Sequence, residues 1–180
     1  MTYKKLQELL KMKTATLFGG AMPITNTIEY IETVEIGKIL AENNYNIKNG
    51  GYYGLMEAVS KGASTISNAK ITGITVKTFP SSVGNKYLTE TIVADDIYHR
   101  LKLLISDTDI FIIQKGGFGT LSELFLLLDV IRKMKNKPTV ILFGDSWYKL
   151  FNYISDMGLD YELTSVIKFV NNMEDFKTLV

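Results

Sequence analysis

The sequence predicts an α/β fold: a Rossmann-like parallel sheet with helices on both faces. Two observations carry the prediction. Short apolar runs alternate with helix-length periodic segments, the pattern of strands joined by crossover helices. In addition, three glycine clusters fall directly after predicted strands, at the edge where open α/β sheets turn into helices and bind ligands.

The elements follow in order. Thr14–Phe18 reads as a strand that ends at Gly19-Gly20. Residues Ile28 to Glu42 read as a helix, with Ile31, Val34, Ile39 and Leu40 near helical spacing. Tyr45–Lys48 is a short strand running into Asn49-Gly50-Gly51, and a helix follows from about Gly54 to Gly62. The β-branched run Ile71–Thr78 suits a buried parallel strand. Pro80 to Lys86 is turn-rich and reads as a mobile loop. Asp96–Ser106 reads as helix, Asp109–Gln114 as strand and Thr120–Lys135 as a long helix. Thr139–Phe143 is another strand, Ser146 to Met157 a helix, and Val166–Val170 a last short strand. No linker, repeat or low-complexity tract interrupts the series, so residues 1–180 are expected to form a single nucleotide-binding domain.

Composition narrows the function. A net charge of +1 makes neither nucleic acid nor an anionic membrane an expected partner. No apolar run approaches the roughly 20 residues that span a bilayer, and the basic, amphipathic N-terminus lacks the apolar core of a signal peptide. A chain without cysteine fits a reducing compartment, so a cytoplasmic location is expected. It also excludes thiolate nucleophiles and Cys-based metal sites, and a single histidine, His99, excludes a multi-His centre. No metal and no cofactor is expected. Pyridoxal phosphate in particular would need a committed lysine with an acidic partner, and the sequence singles out no such pair.

The glycine clusters are where chemistry can sit. They are Gly19-Gly20, Gly50-Gly51 with Gly54, and Gly116-Gly117 with Gly119 and Thr120. In the third, DIFIIQ leads through KGGFGT into LSELFLLLDVI, a strand, a glycine-rich turn and a helix start. Unpaired N–H groups and the positive end of the helix dipole favour an anion such as phosphate there, and the Thr120 hydroxyl could add a donor. Glycines can also simply make tight turns; three clusters on one sheet edge favour a ligand site. None is a Walker loop or a GxGxxG fingerprint. Glu123, in the expected first helical turn, is either a dipole-compensating group or a carboxylate beside a bound sugar. Arg100 is either a phosphate ligand or an ordinary surface arginine. Tyr52 and Tyr53, in a glycine loop, could stack on a base. Lys115 is a solvent-facing strand end or a further phosphate contact, and His99 a surface residue.

These residues resemble the Lonely Guy family of nucleotide phosphoribohydrolases, often mislabelled as lysine decarboxylases, over nearly the whole chain. The family's P-G-G-x-G-T-x-x-E motif is seen as KGGFGTLSE from Lys115 to Glu123. Its G-G-G-x-x-G-L-M motif is seen as NGGYYGLM from Asn49 to Met56, and its D-D-M-H-E-R-K segment as DDIYHRL from Asp95 to Leu101. The interval of 23 residues between Arg100 and Glu123 agrees with the family's functional pair. The resemblance implies cleavage of the N-glycosidic bond of a nucleoside 5′-monophosphate, AMP or an N6-modified AMP, to free base and ribose 5-phosphate. It implies that Gly116, Gly117, Gly119 and Thr120 hold the phosphate, that Arg100 and Glu123 carry the catalysis, and that Gly50, Gly51, Gly54 and Met56 border the pocket. Asn49, Tyr98, Leu101, Lys115 and Leu126 depart from the family's letters, Leu126 standing where a second glutamate is common. Those departures keep open a second class of function, a non-catalytic nucleotide-binding or sensing protein on the same scaffold.

The long helix also predicts a partner. Leu124, Leu127, Leu128, Ile131 and Met134 follow one helical face and are expected to pack on the sheet. Phe125, Leu126 and Val130 then remain outside it, which calls for a second cover and points to a homodimer. The alternative is that the N-terminal helix Lys4–Met12 or the C-terminal segment packs there. The family resemblance favours the dimer, because its members pair through this region.

Overall fold

A computed structural model describes residues 12–22, 25–79, 83–157 and 165–180. The expected N-terminal helix and part of the expected loop at 80–86 lie outside these residues.

Seven parallel strands form one sheet: β1 (Thr14–Phe18), β2 (Asn46–Asn49), β3 (Ile71–Val76), β4 (Glu90–Ala94), β5 (Ile110–Ile113), β6 (Thr139–Phe143) and β7 (Ile167–Val170). Their order across the sheet is β4-β3-β2-β1-β5-β6-β7, with every neighbouring pair parallel. The chain therefore builds outward from β1 to β4, then crosses back to lay β5 on the other side of β1. That reversal between β1 and β5 is the topological switch point at which such sheets open a ligand crevice.

Among the described residues six helices cover the faces: α1 (Ile28–Glu42), α2 (Leu55–Ala63), α3 (Ile97–Ile105), α4 (Phe118–Arg132), α5 (Asp145–Ile154) and α6 (Met173–Lys177). A short 3₁₀ turn, Ser155–Met157, extends α5. One core packs α1, α2 and α6 on the sheet through Ile36, Leu40, Leu55, Val59 and Phe176. The other packs α3, α4 and α5 through Leu104, Leu124, Leu127, Ile131 and Trp147. Full burial of each such side chain stabilises the fold by about 1.5–3 kcal/mol. Helices α1 and α2 meet backbone to backbone: a Cβ at Gly37 would lie 2.1 Å from the Val59 carbonyl oxygen, and one at Gly62 would lie 1.8 Å from that of Val34.

Several details differ from the sequence reading. Strand β4 has no counterpart in it; this is an edge strand whose first four residues are exposed, so burial leaves no alternating pattern in them. Helix α6 is a second addition, only one turn and a half long and capped by Asn172. Ile31 points outward, 57% exposed, while Tyr30 and Thr33 face inward in its place. Met134 lies beyond the end of α4 and is 36% exposed, not part of the sheet-facing stripe that Leu124, Leu127, Leu128 and Ile131 form.

Candidate functional site

The three glycine clusters sit at the ends of the three central strands and are bonded to one another. The Gly20 N–H donates to the Lys115 carbonyl at 3.0 Å, and the Gly20 carbonyl accepts from the Leu55 N–H at 2.9 Å. One residue thus joins the loop after β1 to those after β5 and β2. Gly54 has a positive φ of 65°, and a Cβ there would meet the Gly20 carbonyl oxygen at 2.3 Å. Only glycine satisfies both demands.

Helix α4 begins at Phe118, two residues earlier than expected, with Gly117 as its N-cap and no side chain capping it. A Cβ added at Gly117 or Gly119 would meet no atom within 4 Å, so this helix start faces open space. Gly116 is enclosed instead, with the Thr120 hydroxyl oxygen 2.1 Å from where its Cβ would stand, and Thr120 is buried. Phe118 projects outward, 90% exposed. Unsatisfied N–H groups at such an end favour an anion.

The earlier start moves Glu123 into the second helical turn, where it caps nothing. Its carboxylate turns to Arg100 of α3 instead. Arg100 Nη1 donates to Glu123 Oε1 at 3.2 Å, and the two side chains are 7% and 12% exposed. Arg100 is therefore a buried ion-pair partner and not a surface residue. Its Nε donates to the Ile74 carbonyl at 2.8 Å and its Nη2 to the Gly50 carbonyl at 3.3 Å. A Cβ at Gly50 would lie 2.1 Å from that Nη2 and 2.5 Å from Met56 Sδ, so the absence of a side chain at Gly50 makes room for the guanidinium. Burial pushes the Glu123 carboxyl up to about 7, against the opposing pull of Arg100. A carboxyl poised there can take or give a proton near neutral pH.

Other residues fall elsewhere. Lys115 Nζ pairs with Glu29 Oε1 of α1 at 2.8 Å, holding Glu29 below the usual carboxylate range. Asn49 is fully buried; its Oδ1 accepts from the Gly51 N–H and its Nδ2 donates to Ser60 Oγ. His99 lies at the surface 3.6 Å from Asp95. The sequence reading overlooked Asn85, buried in the loop after β3, which donates to the Gly51 and Tyr52 carbonyls. It also overlooked Lys48, whose buried ammonium donates to the Leu103 and Ser106 carbonyls at the end of α3. Burial drops Lys48 to about 8. A lysine at the end of the predicted strand Tyr45–Lys48 was the available signal.

A family model described as "possible lysine decarboxylase" matches residues 56–178. A cytokinin riboside 5′-monophosphate phosphoribohydrolase of Rhodococcoides fascians is 30% identical over 158 residues, 84% of this chain and 79% of that protein. The chain belongs to the Lonely Guy family. A pyrimidine/purine nucleotide 5′-monophosphate nucleosidase of Escherichia coli is 31% identical over 64% of this chain, although the match spans only 27% of that longer protein. Among solved structures, a molybdenum cofactor binding protein from Rippkaea orientalis superposes with a TM-score of 0.73 over 94% of this chain and 96% of its own, at 21% identity. That likeness shows the shared fold. The curated relatives place the chain in a family of nucleotide hydrolases.

Set against the Lonely Guy motifs, three departures gather in one place. Tyr98, Leu101 and Leu126 line a groove of about 280 Å³ between α3 and α4, together with Lys102, Ile105, Val130 and Met134. Arg100 and Leu104 occupy the inward face of α3. Glu123, Leu126 and Val130 follow one another at i, i+3 and i+7 on α4, so the groove continues the stripe that carries the carboxylate, with Met134 just beyond the helix end. No described helix is long and apolar enough to cross a membrane.

Proposed function

We propose that this protein hydrolyses the N-glycosidic bond of a nucleoside 5′-monophosphate, AMP or an N6-modified AMP, releasing free base and ribose 5-phosphate. The observation that carries the reading is the buried pair of Arg100, on α3, with Glu123, on the helix that the open glycine turn begins. Names of relatives support the same chemistry. In this reading the N–H groups at Gly117 to Thr120 hold the 5′-phosphate, with Gly116 shaping the turn. Gly19, Gly20, Gly50, Gly51, Gly54 and Met56 border the nucleotide. As the bond from C1′ to the base nitrogen breaks, the bonding pair leaves with the base, and positive charge develops on the sugar. The ionised Glu123 carboxylate stabilises that charge and accepts a proton from the attacking water, whose oxygen bonds to C1′. The departing base nitrogen takes a proton from solvent water, and Glu123 returns its own proton to solvent, so one water is consumed overall. Arg100 keeps Glu123 oriented and in part ionised.

The working unit in this reading is a homodimer. Leu126 is 37% exposed in the groove, and Phe125, stacked on Phe151 of α5, is 39% exposed on the same helix; a second copy seated along α4 would cover Leu126 and the end of the site at Glu123.

Incubation with nucleoside monophosphates and the matching nucleosides, followed by chromatography for free base, tests the activity. Release from the monophosphate alone is expected, because phosphate binding positions the sugar. Equal turnover of the nucleoside would refute the phosphate site. Tight binding of the monophosphate without release of base would favour the non-catalytic, nucleotide-sensing reading.

A further inference from the structure

Tyr52, expected to offer its ring to a base, gives one part of it to Arg100. The Arg100 Cζ lies 5.6 Å from the ring centroid, within reach of a cation–π contact. Two further contacts hold the ring, and a third holds its backbone. The Tyr52 hydroxyl oxygen accepts from the Val76 N–H at 3.0 Å, the Phe79 ring lies 5.9 Å away, and the Tyr52 carbonyl accepts from Asn85 Nδ2 at 3.0 Å. The glycines on either side, Gly51 and Gly54, both have positive φ, so the backbone bends sharply at each side of the two tyrosines.

Arg100 needs such a neighbour. Its guanidinium has left water, and its bonds to Ile74, Gly50 and Glu123 all run in the guanidinium plane. The face of a guanidinium makes no hydrogen bond. An aromatic ring beside the cation can take the place of water there, and Tyr52 lies at that distance. The other ionisable groups of this corner, Lys77, Asp95 and His99, pair with one another at the surface. Arg100 is the charged side chain that acts on Glu123.

We propose that Tyr52 is a positioning residue for the Arg100–Glu123 pair, its ring holding the guanidinium against the carboxylate and setting how strongly Arg100 stabilises the ionised form. Tyr52 touches no reacting atom in this account; it acts through Arg100. The kinetic consequence rests on the glycosidic activity proposed above, whereas the spectroscopic one does not.

The test replaces residue 52 with phenylalanines carrying increasing numbers of ring fluorines, which withdraw the negative charge of the ring face with little change in volume. Tyr52→Phe, which keeps that face, is the reference, and Tyr52→Leu removes it. Carbon NMR follows the Glu123 carboxyl titration, assigned by comparison with Glu123→Gln. The midpoint is expected to climb stepwise with fluorination. Over the same series kcat should fall about tenfold, the scale of a desolvated cation–π contact, with KM changed less than about twofold. The acid limb of the pH profile should move with the midpoint. A flat midpoint across the fluorinated series overturns the proposal, and so does a Tyr52→Leu variant that titrates like Tyr52→Phe. A climbing midpoint in a protein without turnover would uphold the positioning role and refute the glycosidic reading.

Discussion

Glu123→Gln separates what the carboxylate does for chemistry from what it costs the fold. In the folded protein the Glu123 carboxyl titrates at about 7, against 4.5 when unperturbed. Between those values the native state keeps a proton that the unfolded chain has released, so stability falls as pH rises through this window. Stability is fully present below pH 4.5 and is lost progressively up to about 7. The gap of about 2.5 units, at 1.36 kcal/mol per unit, amounts to roughly 3 kcal/mol in all, of which about 2 kcal/mol develops between pH 5 and 7.5. Glutamine keeps the shape and an acceptor for Arg100 but never ionises. Urea unfolding of parent and variant from pH 5 to 7.5 should therefore give curves that separate, the variant gaining about 2 kcal/mol over the parent at the upper end. The acidic groups held low, Glu29, Asp95 and Asp129, titrate below this window and are common to both proteins. Lys48, at about 8, titrates above it. The same variant should lose turnover while still binding nucleotide. Parallel stability curves would refute the buried, raised carboxyl; full activity in Glu123→Gln would refute its catalytic role.

Three further perturbations follow from the geometry. Gly50→Ala drives a methyl against Arg100 Nη2 and Met56 Sδ; displacing the guanidinium from a buried carboxylate should cost about 3–5 kcal/mol at neutral pH, read by thermal or urea unfolding, and an unchanged melting temperature would sink the assignment. Gly119→Ala meets no atom and lies inside a helix. It should stabilise the fold by about 0.5–1 kcal/mol while weakening phosphate binding by calorimetry, and unaltered binding would argue against the helix start as the anion site. Val130→Glu puts a charge in the groove between α3 and α4 and should yield monomers with impaired turnover; a parent protein that light scattering finds monomeric at micromolar concentration would refute the dimer.

The alternation of apolar runs with periodic segments makes most of the sheet legible from residues alone, because a parallel sheet covered on both faces writes its strands as unbroken β-branched runs. Strand β4 escapes because Ile92 and Val93 are 37% and 43% exposed at the sheet edge, where nothing demands an apolar pattern. The motif letters locate Glu123 and Arg100 but not their relation. Phe118 and Gly119 carry no helical periodicity, so the sequence places the helix start two residues late and puts Glu123 in a turn where capping is a reasonable alternative. Arg100 sits in the polar-looking run YHRLK, and what buries it is a pair of backbone carbonyls, 26 and 50 residues away in sequence, that no residue pattern announces. The same holds for Tyr52, whose ring is committed to Arg100 and Phe79 by a fold that its local sequence does not encode.

The backbone at Gly20 binds the loop after β5 on one side and the first turn of α2 on the other. Its consequence lies in time as much as in space. A loop held only by its own strand can open alone, on its own schedule. These three cannot, because releasing any one breaks a bond that another depends on, and local opening in proteins proceeds in such cooperative blocks. The Gly20 and Leu55 amides should then exchange with solvent at a common rate, and that rate sets how often all three loops part together to admit or release whatever they hold.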